Sequence, residues 1–194
     1  MFNWITFLIF CVTTTYTPGP NTVLSMNYGR LVGFKRSLSF IFGIFTGFTL
    51  LMILISFFMK TLEAWIPALT TVLRFLGALY ILYLAWKTVV SRADFEKQST
   101  AESLFPKGFL IQFINPKVYF YGITAISGFI LPYFSTAGEL LAFSVILAAI
   151  ALVGNILWSL FGVLFQKLFS RHEKPLRIIM GLLLVYCAYM IFST

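Results

Sequence analysis

The chain has 194 residues, of which 60% are hydrophobic, 19% are aromatic and only 10% are charged. This composition excludes a soluble domain and indicates one integral membrane domain over residues 1–194. The formal net charge of +8 would suit nucleic acid or anionic lipid as a partner, so the positions of the charges matter. Cys11 and Cys187 stand singly in apolar segments and predict neither a disulfide nor a metal site.

Six apolar stretches are long enough to cross a bilayer core of about 30 Å, which takes roughly 20 helical residues. They cover residues 4–28, 38–59, 68–90, 105–131, 140–165 and 176–192. No basic residue precedes the first stretch and no small-residue cleavage site follows it. We therefore expect it to remain in the mature protein instead of being removed as a signal peptide.

The first stretch contains a motif that interrupts a helix, Thr-Pro-Gly-Pro-Asn at residues 17–21. Pro18 and Pro20 each lack a backbone donor, and Gly19 adds conformational freedom, so the helix is predicted to break here. In hydrocarbon, the freed backbone groups are tolerated only inside protein or beside a water-filled cavity. If a helix restarts at Pro20, its first N–H groups form an anion site, with the Asn21 amide beside it.

A second break is predicted at Asn115-Pro116, directly before Lys117, in the fourth stretch. A polar segment at about 91–104 divides the chain into repeat one, about residues 1–90, and repeat two, about residues 105–194. Three spans per repeat require the second repeat to be inverted relative to the first, as in many secondary transporters. The predicted fold is an all-α integral membrane protein with six transmembrane helices in two inverted three-helix repeats, helices 1 and 4 being broken. Ordinary proline kinks are the alternative.

The basic residues alternate between the predicted loops. Loops after the first, third and fifth stretches carry three or four Lys or Arg residues each, whereas the second and fourth loops hold only Lys60, Glu63 and Glu139. By the positive-inside rule the basic loops are cytoplasmic and both termini lie outside. Membrane topology thus accounts for the charge, so we expect the lipid bilayer as partner and no nucleic acid.

No carboxylate is expected inside the membrane, because all six fall in predicted loops. They are Glu63, Asp94, Glu96, Glu102, Glu139 and Glu173. A proton relay or sodium site built on Asp or Glu is therefore not expected, and neither is a metal or other cofactor. The absence of acids also argues against a strongly cationic substrate and suits a zwitterion.

Two cations remain as candidates for binding an anionic group, Lys117 after the second break and Arg74 early in the third stretch. The alternative for Lys117 is to cap carbonyls freed by the break, and that for Arg74 is to reach the outer interface. Asn155 lies on a face of small residues in the fifth stretch. That face, like Gly43-x-x-x-Gly47 in the second stretch, indicates close helix packing, but its amide needs a partner or a cavity.

Several motifs resemble those of the LysE/RhtB family of amino-acid exporters. They are Thr-Pro-Gly-Pro-Asn at 17–21, Gly-Phe-Lys-Arg at 33–36, Gly-Ala-Leu-Tyr-Ile-Leu-Tyr-Leu-Ala-Trp-Lys at 77–87 and Gly-Phe-Leu-Ile-Gln-Phe-Ile-Asn-Pro-Lys at 108–117. The resemblance covers essentially the whole chain. Within the family, Tyr-Gly-Ile-Thr-Ala at 121–125 and Leu-Leu-Leu-Val-Tyr-Cys-Ala at 182–188 are most similar to the cysteine and O-acetylserine exporters.

The resemblance implies efflux of a small neutral amino acid across the inner membrane of a bacterium by an antiporter driven by the proton-motive force. The substrate site would comprise Pro18, Gly19, Pro20, Asn21, Asn115, Pro116, Lys117, Arg74 and Asn155. A non-transporting membrane scaffold or chaperone is the alternative. An enzyme is not expected, since no Ser/His/Asp, Cys/His or paired-acid arrangement is present. Whether the chain works as a monomer or a homo-oligomer stays open.

Overall fold

The structure is a computed structural model that describes residues 2–90, 103–168 and 173–193. The described chain is helical, without strands. The predicted polar linker at 91–104 lies almost entirely outside these residues. The helices are α1 (Trp4–Tyr16), α2 (Pro20–Val32), α3 (Phe34–Val90), α4 (Phe105–Ile114), α5 (Pro116–Ile123), a π-helical segment (Thr124–Ile130), α6 (Ala137–Leu168) and α7 (Glu173–Ser193).

Both predicted breaks are present. The first lies between α1 and α2, where α2 begins at Pro20 and the Thr22 hydroxyl accepts the N–H of Gly19 at 2.9 Å. The second is a single residue, Asn115, which ends α4 and also caps α5 by accepting the N–H of Lys117 at 3.1 Å. Each new helix starts on a proline, which is expected because the first helical turn needs no proline N–H.

The prediction of a loop between the second and third apolar stretches is wrong. The backbone stays helical through Lys60 and Glu63, within the 57 residues of α3. A straight helix of that length would measure about 86 Å, almost three times the apolar thickness of a bilayer. The second and third predicted spans are therefore joined by continuous helix. Because of its length, α3 cannot be a single straight helix that crosses the membrane once.

Contacts of α3 indicate that it changes direction between its halves. A straight helix would hold Phe48 and Val89 about 60 Å apart. Phe48 nevertheless borders a cavity beside Lys117, and Cys187 on α7 borders an adjoining cavity at the same lysine. Gly181, less than two turns from Cys187 on α7, contacts Val89. The two halves of α3 thus approach the same centre from different sides.

Two of the predicted loop carboxylates occupy the first turn of a helix. Glu173 is the first residue of α7, and Glu139 lies in the first turn of α6. The Glu139 carboxylate accepts the N–H groups of Ser135 and Thr136 at 3.2 and 3.0 Å, while the Thr136 hydroxyl accepts the Glu139 N–H at 3.4 Å. This reciprocal capping holds an acid at a helix start, where the helix dipole favours it.

The halves of the broken helices that lie near the basic residues pack tightly against their neighbours. We call α2 and α4 the basic-side halves, because Arg30 lies in the last turn of α2 and Lys107 in the first turn of α4. On α2, a side chain at Gly29 would collide with the Ser159 carbonyl of α6. On α4, a side chain at Gly108 would collide with the Phe40 carbonyl of α3. The missing side chains let the backbones touch.

The same contacts account for the two stripes of small residues. Gly162 on α6 faces the Met26 carbonyl, and Gly43 on α3 faces the Phe105 carbonyl. Each close approach is thus reciprocal, with one glycine on either helix of the pair. The predicted packing role of both stripes is confirmed.

The other halves are α1 and α5, which we call the opposite halves, and α1 is packed less closely than α2. Along α1 only Phe7 and Cys11 are buried.

Two described helical stretches are long and apolar enough to span a membrane, Phe34–Met59 and Ala137–Gln166, while Trp4–Tyr16 and Ile178–Tyr189 are shorter apolar helices.

Candidate functional site

Two adjoining cavities lie where the two breaks meet. The larger, of about 390 Å³, is bordered by α1, the first break, α5 and α7. The smaller, of about 40 Å³, lies between the breaks, α3 and α6. Thr14, Gly19, Lys117 and Tyr121 border both cavities. A ligand in the large cavity and a group that enters the small one would therefore contact the same four residues.

Lys117 is held at the first break by uncharged partners. Its ammonium donates to the Thr17 carbonyl and to the Thr17 hydroxyl, each at 2.9 Å. No carboxylate in the described part of the chain pairs with it. Since an ammonium has three donors, one remains for a ligand. The lysine side chain also fills the space beside Gly19, where an added Cβ would lie 2.9 Å from its Cδ.

The N-terminus of α2 is the second cationic element of the site. The first intrahelical bond runs from the Val23 N–H to the Gly19 carbonyl at 2.9 Å. The N–H groups of Asn21 and Thr22 precede that bond and carry the positive end of the helix dipole. Gly19 and Pro20 border the large cavity beside them. A carboxylate is the natural ligand of such a helix start.

Three side-chain amides join the two breaks beside the small cavity. The Asn21 Nδ2 donates to the Gln112 Oε1 at 2.8 Å, and the Gln112 Nε2 donates back to the Asn21 Oδ1 at 3.2 Å. Asn115 donates to the same Asn21 oxygen at 3.2 Å. Gln112 is fully buried and Asn115 is 2% exposed. We call these residues the amide cluster; it ties the start of α2 to the end of α4.

Asn155 on α6 is also committed to protein partners. Its Oδ1 accepts the Ser25 hydroxyl at 2.9 Å, and its Nδ2 donates to the Ala151 carbonyl at 2.8 Å. Next to it, the hydroxyls of Ser37 and Ser159 share a hydrogen bond of 2.6 Å. These bonds connect α6 with α2 and α3, so the amide that needed a partner in an apolar span has found one.

The predicted site residues are thus placed as follows. Pro18, Gly19 and Pro20 border the large cavity, Lys117 borders both, and Asn21, Asn115 and Asn155 border the small cavity with their amides already bonded. Pro116 is buried as the first residue of α5 and borders neither cavity. The side chain of Arg74 lies outside the described part of the structure.

Gln112 and Tyr121 are among the residues of the site that were not selected from the sequence. Gln112 carried a usable signal, because an amide three residues before Asn115 in an apolar span must find a buried partner. Tyr121 had no such signal in the sequence, because a tyrosine in an apolar span most often serves only to pack against its neighbours. Its position between the cavities depends on how α5 packs against α1 and α3.

The chain is similar to known proteins over almost its whole length. The model of the LysE type translocator family matches residues 12–193. The cysteine/O-acetylserine efflux protein of Salmonella typhimurium is 39% identical over 186 residues, which cover 96% of this chain and 95% of the relative. The protein of that name from Escherichia coli O6:H1 is 38% identical over the same length and with the same coverage. No solved structure matches the chain.

The matched region contains both breaks, the amide cluster and every residue that borders the two cavities except Phe10. Family membership also resolves the choice between a membrane transporter and an enzyme in favour of the transporter. The chain belongs to the LysE family of translocators.

Proposed function

We propose that this chain exports small neutral amino acids or their derivatives, such as cysteine and O-acetylserine, from the bacterial cytoplasm. The relatives that carry this name match almost the whole chain. The observation that carries the proposal is the 390 Å³ cavity, where the Lys117 ammonium and the start of α2 meet without a protein carboxylate among the described residues. Such a cavity offers positive charge to a substrate carboxylate.

The carboxylate of an amino acid would bind between Lys117 and the N-terminus of α2. It would take the third donor of the ammonium together with the free N–H groups of the first helical turn. Charge-assisted hydrogen bonds of this kind are roughly twice as strong as neutral ones. The uncharged partners at Thr17 keep the ammonium in position without neutralising it.

The substrate ammonium would be held by hydroxyl and carbonyl oxygens. Thr14 and Thr17 border the large cavity, and the described cavity walls contain no Asp or Glu. The ammonium of a neutral amino acid is balanced by the substrate's own carboxylate. A cationic side chain on the substrate would add a second positive charge, and that charge would have no counterion in these walls. The walls therefore favour a neutral amino acid over a cationic one.

Transport would follow the inverted-repeat plan, with two three-span repeats moving against each other. We place the basic end in the cytoplasm and both termini outside the inner membrane. In that orientation the glycine contacts and the amide cluster close the cytoplasmic side, and the cavity lies toward the outside. The structure then corresponds to an outward-facing state. Gly29, Gly108 and Gln112 supply the contacts that support this assignment.

Coupling to the proton-motive force would need no carboxylate relay. In an antiporter a proton enters as the amino acid leaves, so the proton cannot travel on the exported substrate. Because the described cavity walls contain no Asp or Glu, the inward proton would be bound by a group other than a carboxylate.

The test is efflux from vesicles preloaded with labelled cysteine, O-acetylserine, serine or lysine, with an imposed proton gradient. We expect export of the neutral substrates and none of lysine. Lys117→Met should reduce export at least tenfold, because a desolvated charge-assisted bond to the substrate contributes about 1.5–3 kcal/mol. Lys35→Met, at an exposed lysine on the first turn of α3, should leave export unchanged.

The outcomes separate the parts of the proposal. Normal export by Lys117→Met would refute the carboxylate site while leaving the transport function. A folded wild-type protein that exports no amino acid under a confirmed gradient would refute the function and favour the scaffold alternative.

A further inference from the structure

The hydroxyl of Tyr121 is a buried polar group without a partner. Tyr121 lies on α5 and is 4% exposed, and its hydroxyl makes no hydrogen bond within the described residues. The Cys11 thiol and the Thr15 hydroxyl lie beside it, but neither meets hydrogen-bond geometry. Leaving a buried hydroxyl unpaired costs about 1–3 kcal/mol. Such an exception in a folded protein needs an explanation.

The ring of Tyr121 is fixed, so the hydroxyl cannot swing away to find water. Phe10 on α1 stacks on it with ring centroids 5.7 Å apart and an interplanar angle of 6°. Phe48 on α3 contacts it at 5.7 Å and 51°. Aromatic contacts of this kind hold a ring in place. The hydroxyl is thus held in one position.

The hydroxyl end of the ring lies beside Thr15, which belongs to the wall of the small cavity. Tyr121 borders both cavities, but Thr15, which lies beside the hydroxyl, borders only the small one. The amides of Asn21, Asn115 and Asn155 in the same wall are already bonded within the protein. These amides are therefore already committed to protein partners, whereas the hydroxyl of Tyr121 has its hydrogen-bonding capacity left for a ligand.

The size of the small cavity limits what can enter it. Since one water needs about 10–15 Å³ of such space, a cavity of about 40 Å³ takes a group of about three non-hydrogen atoms. Phe48, Val118 and Ala151 supply apolar walls. A short side chain with one polar atom fits these walls, and a branched or aromatic one does not.

We propose that the small cavity binds the substrate's side chain and that the Tyr121 hydroxyl hydrogen-bonds its γ oxygen or sulfur atom. This rests on the proposed export of small amino acids. Lys117 and Gly19 border both cavities, so a carboxylate bound there directs the side chain into the small one. The preferred substrate class is a three-carbon amino acid with a hydroxyl or thiol, such as serine or cysteine. O-acetylserine, whose acetyl group makes the side chain too long for the small cavity, is expected to be exported less well than cysteine.

The test compares cysteine with 2-aminobutyrate, which has a methyl group in place of the thiol. Both are loaded together into vesicles, and the ratio of their export is measured. Tyr121→Phe should lower the cysteine to 2-aminobutyrate ratio about tenfold, the effect of losing one hydrogen bond of about 1.4 kcal/mol. Phenylalanine keeps the ring contacts and hence the fold.

Tyr119→Phe is the matched control. Tyr119 lies two residues away on α5, and its hydroxyl donates to the Phe113 carbonyl at 3.1 Å, away from both cavities. Its export ratio should equal that of the wild type. An unchanged ratio in Tyr121→Phe, or an equal loss of both substrates, would overturn the proposal.

A second variant tests the cavity without altering the tyrosine. Ala151→Val places two methyl groups in the small cavity, and we expect it to favour alanine over cysteine by several-fold relative to the wild type. An unchanged preference would overturn the side-chain assignment. If the wild type exports neither cysteine nor 2-aminobutyrate, the proposed function itself has failed, and that failure is distinguishable because it does not depend on any variant.

Discussion

The basic-side halves α2 and α4 differ from the opposite halves α1 and α5 in how they are held. Every residue of α2 from Thr22 to Arg30 is buried, whereas only Phe7 and Cys11 are buried along α1. The basic-side halves touch their neighbours through glycines and are joined by amides. The opposite halves leave a 390 Å³ cavity between them. Close packing and the ligand cavity thus occupy opposite ends of the same broken helices.

This difference shows how a membrane protein can hold many polar groups safely at one end and still offer free ones at the other. Gln112, Asn115 and Asn155 are at most 2% exposed, and each is hydrogen-bonded. Buried amides in apolar surroundings are stable only when bonded. Lys117 and the Tyr121 hydroxyl have unused hydrogen-bonding capacity at the cavities, whereas on α2 the buried Nδ2 of Asn27 makes no hydrogen bond in the described structure.

The largest expected effect comes from separating the basic-side halves. In Gly108→Ala the added Cβ collides with the Phe40 carbonyl, so α3 and α4 must move apart. We expect the free energy of unfolding to fall by about 3 kcal/mol, measured by thermal unfolding in detergent. Gly138→Ala, where nothing lies within 4 Å of the added Cβ, should be neutral or slightly stabilising. Equal stability of the two variants would contradict the packing difference.

A smaller effect is expected from the amide cluster. Asn21→Ala and Gln112→Ala each leave a buried amide unpaired, so each should lower the free energy of unfolding by about 2 kcal/mol. The double variant should lose much less than the sum, because both changes remove the same pair of hydrogen bonds. Thermal unfolding of the four proteins gives the coupling. Additive losses would mean that the two amides act independently.

The smallest stability effect is expected at the cavity. In Gly19→Ala the added Cβ would lie 2.9 Å from Cδ and 3.0 Å from Nζ of Lys117. The flexible end of that lysine can move, so we expect an unchanged melting temperature but export weakened several-fold by the displaced ammonium. Vesicle efflux beside melting curves measures both, with Gly138→Ala as the control. A large loss of stability would place Gly19 in the packing and not at the ligand site.

The helix breaks could be predicted because their cause is local. A proline lacks its N–H wherever it stands, so Pro18, Pro20 and Pro116 mark the breaks without reference to the rest of the fold. The packing role of the two stripes of small residues could also be predicted, because glycines such as Gly43 and Gly162 in apolar spans indicate close contact between helix backbones. Lys117 could be named because a cation in an apolar span needs a partner.

The remaining features depend on contacts between distant parts of the chain. Asn21 and Gln112 are 91 residues apart, and their hydrogen bonds arise only once α2 and α4 are packed. Without that pairing, Asn21 was interpreted as a free ligand of the substrate. The continuous α3 was missed for a different reason, because Lys60 and Glu63 indicate a polar loop but are also good helix formers.

The two breaks also differ as mechanical joints. The first leaves three residues outside helices, Thr17, Pro18 and Gly19, which provide about five rotatable backbone torsions because proline fixes one. The second leaves Asn115 alone, with two torsions that are restrained by its bonds to the N–H groups of Lys117 and Val118. The first break therefore has more backbone torsions than the second, although Lys117 bonds to the Thr17 carbonyl within it. A change in the direction of α1 relative to α2 can be taken up at the first break, whereas a tilt of α5 is expected to carry α4 with it.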